Sequence, residues 1–310
     1  MSAASAHLHL PNNDAPFSVY SADGWFMGPM RFPTNNSHHE GGTIHDDATA
    51  RDLGFRSGTI AGSIHMEQFL PLCEHAFGRE WSRTGSLSLY FLNPSVDREG
   101  VQAMIGSNEL AVAGCRQRFV QMKTSSGLTV LEGSASVGAA DHASAVRERF
   151  RQRRPATPDQ VRILAGVPDN FSATNLPTMI PQADIDVRLA IITERRAEFS
   201  DARRFGHAVA PLSAAVHAMR VFENALPLAN SNFVGMFGVI DWQFLNGPVF
   251  ADHAYLVDGC VLAIGESRKT EMLWYECTLR DTTTDQEIAR MLMLSRLLKS
   301  TSPLWCDTAD

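Results

Sequence analysis

Three short matches recur across the 310-residue chain at almost one spacing. Ala50-Arg51 with Gly54 is echoed by Ala202-Arg203 with Gly206, 152 positions on. FLNPSV at 91–96 returns as FLNGPVF at 244–250, 153 positions on with one inserted glycine. Cys115-Arg116 has its counterpart in Ser267-Arg268, again at 152. Anchors at nearly one offset point to a duplicated unit, and the length suits two domains of ordinary size. The expected organisation is an N-terminal unit over 1–150, a linker over 151–170 and a C-terminal unit over 171–310. RERFRQRRPATPDQ, charged and then proline-bearing, places the linker.

Each copy reads as a helix followed by strands. Asp46 to Leu53 favours a short helix stopped by Gly54. A turn with small Ser57, Gly58 and Ala61 follows, and Ser63 is expected to cap a longer helix. Met66, Phe69, Leu70, Cys73 and Phe77 put one apolar stripe on it, and Pro71 predicts a kink. Strand patterns follow at 86–91, 101–105, 110–123 and 128–137, with Ser125-Ser126-Gly127 as a hairpin turn. FSVYSA and WFMGPMRF upstream also read as strands, parted by Asp23-Gly24. In the second copy Pro211 opens a helix with Leu212, Val216, Met219, Phe222 and Leu226 on one face. Residues 171–200, with little apolar period, read as helix or loop. The pattern as a whole is α+β.

Composition narrows the function classes. A net charge of −7 leaves no dense basic face for nucleic acid. The five cysteines lack CxxC spacing and read as reduced thiols. No apolar run reaches the ~18 residues of a membrane span, and the N-terminus lacks a signal peptide's pattern. The expectation is a soluble, cytoplasmic protein.

Chemistry concentrates in residues 40–62, where a carboxylate, Glu40, and an imidazole, His45, stand five residues apart in a glycine-rich loop. HEGGTIH is not the HExxH zinc helix, because Gly41-Gly42 would break it, so no metal is expected. Asp46, Asp47 and Arg51 read as helix-start acids and an i,i+4 pair. His65, His75 and His217 read as polar-face helix residues.

The segment GGTIHDDATARDLGFRSGTIAG resembles the active-site stretch of MaoC-like dehydratases and (R)-specific enoyl-thioester hydratases. Their motif runs Asp-x-Asn-Pro-(Ile/Leu/Val)-His, then Ala, Gly-Phe and a Gly opening the central helix. Ile44-His45, Ala50, Gly54, Phe55, Ile60 and Gly62 fit, whereas Glu40, Gly42 and Thr43 replace Asp, Asn and Pro. FLNPSV and FLNGPVF resemble the strand that follows the helix in that family.

The resemblance implies a double hotdog, two units each with a long helix wrapped by a curved antiparallel sheet. It implies a hydro-lyase acting at the α,β-bond of an acyl thioester, with Glu40 and His45 activating water. The Gly62 N–H would hold the thioester oxygen, and Ile44, Phe55, Gly58, Ile60, Ala61 and Ser63 would face substrate. The partner is a small-molecule acyl thioester. No separate cofactor is implied; CoA or the phosphopantetheine of an acyl carrier belongs to the substrate, and homo-oligomerisation is left open. Ile192 and Ala197 stand opposite Glu40 and His45 at the 152-residue offset, which implies one site per chain. The alternatives are a hotdog thioesterase, a proton-transfer or cyclisation enzyme, and a non-catalytic ligand-binding module.

Overall fold

The structure is a computed structural model that describes residues 13, 16–39, 41–112 and 114–306. The first unit comprises β1 (Tyr20–Ala22), β2 (Trp25–Met27), α1 (Asp47–Asp52), α2 (Gly62–Met66), α3 (Phe69–Phe77) and α4 (Trp81–Thr84). It continues with β3 (Gly85–Phe91), β4 (Val101–Gly106), β5 (Leu110–Val112), β6 (Cys115–Thr124) and β7 (Thr129–Gly138). Helix α5 (Ala145–Arg151) leads to β8 (Ser172–Met179), α6 (Gln182–Leu189), α7 (Leu212–Met219) and β9 (Gly235–Phe244). Strands β10 (Ala254–Glu266), β11 (Thr270–Asp281) and β12 (Glu287–Leu298) and helix α8 (Pro303–Cys306) complete the order.

One sheet runs β1-β2-β4-β6-β7-β3-β9-β12-β11-β10-β8, with β5 beside β6. From the β3–β9 seam outward, each side presents its strands in the same succession, β3-β7-β6-β4-β2 against β9-β12-β11-β10-β8. The seam is antiparallel, with Leu87 opposite Trp242 and Leu89 opposite Ile240, all four fully buried. The repeated FLN motifs do equal work on the two sides. Asn93 donates through Nδ2 to the Thr129 carbonyl at 2.8 Å, and Asn246 donates likewise to Glu287 at 2.9 Å. Each asparagine thereby extends its strand pair by one more bond.

The central helix of the first unit is α2 and α3 on one helical path. Glu67 and Gln68 between them keep right-handed helical dihedrals. The turn tightens there: Gln68 N bonds His65 O at 3.3 Å and Leu70 N bonds Glu67 O at 3.3 Å. Pro71 has no N–H to offer the Glu67 carbonyl, which accounts for the kink. Met66, Phe69, Leu72 and Cys73 are fully buried under the sheet. The cap is Ala61, in extended conformation, and not Ser63, which lies buried inside the first turn. Beside α2 runs α7, and the fully buried Glu67 carboxylate accepts the Ser213 backbone N–H at 2.7 Å. Burial holds the Glu67 carboxyl above its ordinary range.

Two stretches depart from expectation. Residues 172–179 form strand β8 at the sheet edge, paired with β10, instead of helix or loop. Pro177 is tolerated there because an edge strand has one side without ladder bonds. The expected strand 110–123 is a hairpin, turned at Gly114 with φ +85. The charged segment after β7 is packed rather than solvated at its start. Val146 of α5 is buried against Val239, Trp274 and Leu292 on the outer face of the seam. Ser134 and Ser88 accept the Ala145 and Val146 N–H groups, each at 3.0 Å, and so satisfy donors that a helix start leaves free. No helix among the described residues is long and apolar enough to cross a membrane.

Candidate active site

The site is built on the loop before α1. Thr59 N donates to Ile44 O at 2.8 Å, and the Asn35 amide donates to His45 O at 2.8 Å. Gly58 packs so close that a Cβ there would stand 2.2 Å from the His45 carbonyl oxygen, so only glycine fits. The segment after Gly58 is held in turn: Thr59 bridges Val96, and Ile60 N donates to Ser95 O at 2.9 Å.

Across this frame His45 Nδ1 lies 2.7 Å from the Thr59 carbonyl oxygen. A carbonyl only accepts, so Nδ1 carries the proton and Nε2 of the neutral ring is left with a lone pair. That is the tautomer a general base requires.

The neighbouring carboxylates are committed elsewhere. Asp46 caps α1 through Thr49 N at 2.8 Å, and that bond holds its carboxyl below the usual range. Asp47 accepts from Ser57 Oγ at 2.5 Å and Gly58 N at 2.7 Å, with the same effect on its acidity. The exposed Arg51–Asp47 contact at 3.4 Å is the expected i,i+4 pair. Glu40 lies outside the described residues.

His45 opens on a cavity of about 440 Å³. Ile44, Ile60, Ala61 and Gly62 share its first wall with His45, and the ring of Phe91 lies beneath Gly62. A Cβ on Gly62 would come within 2.8 Å of that ring. Ile64 N already bonds Ala61 O at 3.0 Å, whereas Gly62 N at the very start of α2 has no helical carbonyl one turn back and is available to a polar ligand atom. Phe55, Gly58 and Ser63, expected to face substrate, do not line the cavity. Phe55 packs beside Ile44, Val234 and Leu298, Gly58 serves the backbone approach, and Ser63 is buried.

Sequence reasoning missed two features of the cavity. His65, read as a polar-face residue, is 2% exposed and lines the wall one turn along from Gly62. Its Nε2 meets Ser95 Oγ at 2.9 Å, and burial lowers its pKa to about 4, so the ring is neutral. The i,i+3 spacing to Gly62 was the available signal. The opposite wall comes from the second unit, including Arg220, Glu223, Phe233, Val234 and Leu297. By contrast, His75 and His217 are exposed.

The corresponding place in the second unit is nearly closed. A pocket of about 40 Å³ remains there, lined by Trp81, Phe199 and Arg196, which clasps both Glu74 oxygens at 2.9 Å. Ile192 is 2% exposed, and Ala197 begins a short 3-10 turn.

Palindromic strand order, paired central helices and an open cavity at His45 define a double hotdog protein. Solved structures agree on that fold. A protein of Chloroflexus aurantiacus J-10-fl named for a MaoC dehydratase domain superposes with TM-score 0.56 at 11% identity, over 91% of this chain and 94% of that one. A conserved hypothetical protein of Mycobacterium tuberculosis with a double hotdog fold gives 0.56 at 11%, over 87% and 93%. A MaoC-like dehydratase gives 0.53 at 12%, over 90% and 97%. No protein-family model and no curated protein matches the sequence.

Proposed function

We propose that the chain is a hydro-lyase that adds water to, or removes it from, the α,β-bond of an acyl thioester. The observation that carries this reading is His45, its proton fixed on Nδ1 by Thr59 and its basic nitrogen free at a cavity that the start of α2 also borders. In hydration, Nε2 takes a proton from water as the oxygen bonds the β-carbon. The π electrons move toward the thioester oxygen, and the Gly62 N–H stabilises the charge that gathers there. The His45 imidazolium then gives the proton it took from water to the α-carbon. One C–O and one C–H bond thus replace the π bond, and the ring returns to its neutral form. Glu40 is assigned to orient the water and to balance the imidazolium. Dehydration is the reverse path. Ile44, Ile60 and Ala61 would hold the acyl group, and CoA or acyl-carrier phosphopantetheine would be part of the substrate.

The test is a panel of 2-enoyl thioesters on both carriers, with loss of the conjugated double bond and release of free thiol read together. Double-bond loss without thiol, abolished in His45→Ala and strongly reduced in Glu40→Gln, is expected. Thiol release would move the protein to the thioesterases. No reaction with any member would sink the thioester reading.

A further inference from the structure

The cavity wall supplied by the second unit is apolar except at one cluster. Arg220 donates through Nε at 3.0 Å and Nη2 at 2.6 Å to one oxygen of Glu223. The other Glu223 oxygen accepts Tyr275 OH at 2.7 Å and Ser295 Oγ at 3.0 Å. Arg220, Glu223 and Ser295 all border the cavity, and the guanidinium lies 5.0 Å from the centre of the Phe237 ring, another lining residue. Around them stand Leu164, Leu226, Leu273 and Leu297.

An ion pair inside an apolar pocket is a poor stabiliser, because desolvation offsets most of the attraction and a hydrophobic pair of similar size would serve the fold as well. The cluster has a further property. Four donors saturate Glu223, whereas the guanidinium has five N–H groups and gives two of them to this carboxylate. A planar fork at a cavity wall with donors to spare asks for an oxygen acceptor. The charge of Arg220 is already balanced by Glu223, so the matching group is a neutral oxygen rather than a second carboxylate.

We propose that Arg220, held by Glu223, is a specificity-determining residue. It selects an acyl group that carries a neutral oxygen, a hydroxyl, ketone or ether, along its chain away from the thioester. The inference rests on the thioester reading above and names the substrate class of that same cavity. A purely alkyl chain would leave the donors of Arg220 dry and unpaired, which is the source of discrimination against it. At the matching offset in the first unit stand Gln68 and Pro71, so Arg220 and Glu223 have no residue-for-residue counterpart there.

Equilibrium binding of saturated acyl-CoA esters tests this without any turnover. A chain-length series is measured by calorimetry in three forms: plain alkyl, hydroxyl-bearing and keto-bearing. At the length that reaches Arg220, an oxygen-bearing member should bind about ten- to a hundred-fold tighter than its alkyl match. Arg220→Met should erase that gap, in part by tightening alkyl binding now that no donors are left dry, and Arg220→Lys, which keeps the charge, should retain part of it. Equal or tighter alkyl binding at every length in the wild type would overturn the inference and leave the thioester reading standing. A preference that survives in Arg220→Met would overturn it too. Absence of binding for every member would fail the thioester reading, and the inference with it.

Discussion

His45 Nδ1 donates to the Thr59 carbonyl oxygen across 2.7 Å, and Thr59 N in turn bonds the carbonyl of Ile44 at 2.8 Å. The reciprocal pair welds the loop before α1 to the segment that opens the central helix. A ring so held can act as a base without rearranging. Replacing His45 with Gln should lower turnover about 10²- to 10⁴-fold. Thermal unfolding and ligand affinity should stay close to wild type, since the ring is only half-buried. Steady-state kinetics beside a melting curve would check this, and an unchanged kcat would remove His45 from the chemistry.

Gly58 sets the place of that imidazole from behind. A methyl group there would stand 2.2 Å from His45 O and 2.9 Å from Asn35 Nδ2. Gly58→Ala must therefore push the loop outward, at a cost of about 1–3 kcal/mol. Activity should fall further than stability, because a displacement of about 1 Å at a catalytic group can cost about 100-fold. Gly41→Ala, with nothing within 4 Å of the added carbon, is the control and should be nearly silent. Equal effects from the two variants would refute the account.

Two buried groups oppose each other in acid. Burial raises Asp241 from 3.8 to about 6, although Arg147 and Ser144 pull the other way. A raised carboxyl contributes stability below about pH 4 that is lost as pH climbs through 6. Burial lowers His65 from 6.5 to about 4. A lowered imidazole contributes stability above about pH 6.5 that is lost as pH falls toward 4. Each is worth about 3 kcal/mol across that window, with opposite slope. Relative to wild type, Asp241→Asn should gain stability as pH rises from 4 to 6, and His65→Gln should gain it as pH falls from 6.5 to 4. Chemical denaturation at several pH values would show this, and variant curves parallel to wild type would rule it out.

Arg31, just after β2, forms a two-point contact with Glu194 in the second unit at 2.6 and 2.9 Å. The side chains are 2% and 5% exposed. Arg31→Met would strand a buried carboxylate and should destabilise by about 3–5 kcal/mol, whereas Arg31→Met with Glu194→Leu should recover most of the loss. A double variant no better than the single would show that the pair itself, and not the orphaned charge, carries the energy.

Sequence patterns were strongest where local chemistry sets the structure. The α2–α3 stripe, the acidic start of α1, the turn at Gly54 and the two FLN motifs were all legible, because each depends on neighbours a few residues away. Strand β8 was not, since SATNLPTM lies at an edge with mostly exposed side chains and leaves little apolar period. Ser63 misled because hydroxyl caps are common, yet extended Ala61 makes the turn here with no side-chain bond. Arg220 and Glu223 were beyond reach. Only the sheet, folded across a separation of 175 to 178 residues, brings them to the cavity of His45.

The β3–β9 seam has one more consequence. In an assembly of two identical subunits, every heritable change is written into both partners and reappears at both sites. A tract that lines one wall cannot diverge from its twin. Here Leu87 and Trp242 face each other within a single polypeptide, and each side of the seam has its own codons. The second half is therefore free to narrow its own hollow with Phe199 and Arg196 while contributing Arg220 and Glu223 to its neighbour's. Two like halves on one chain are two separately tunable faces.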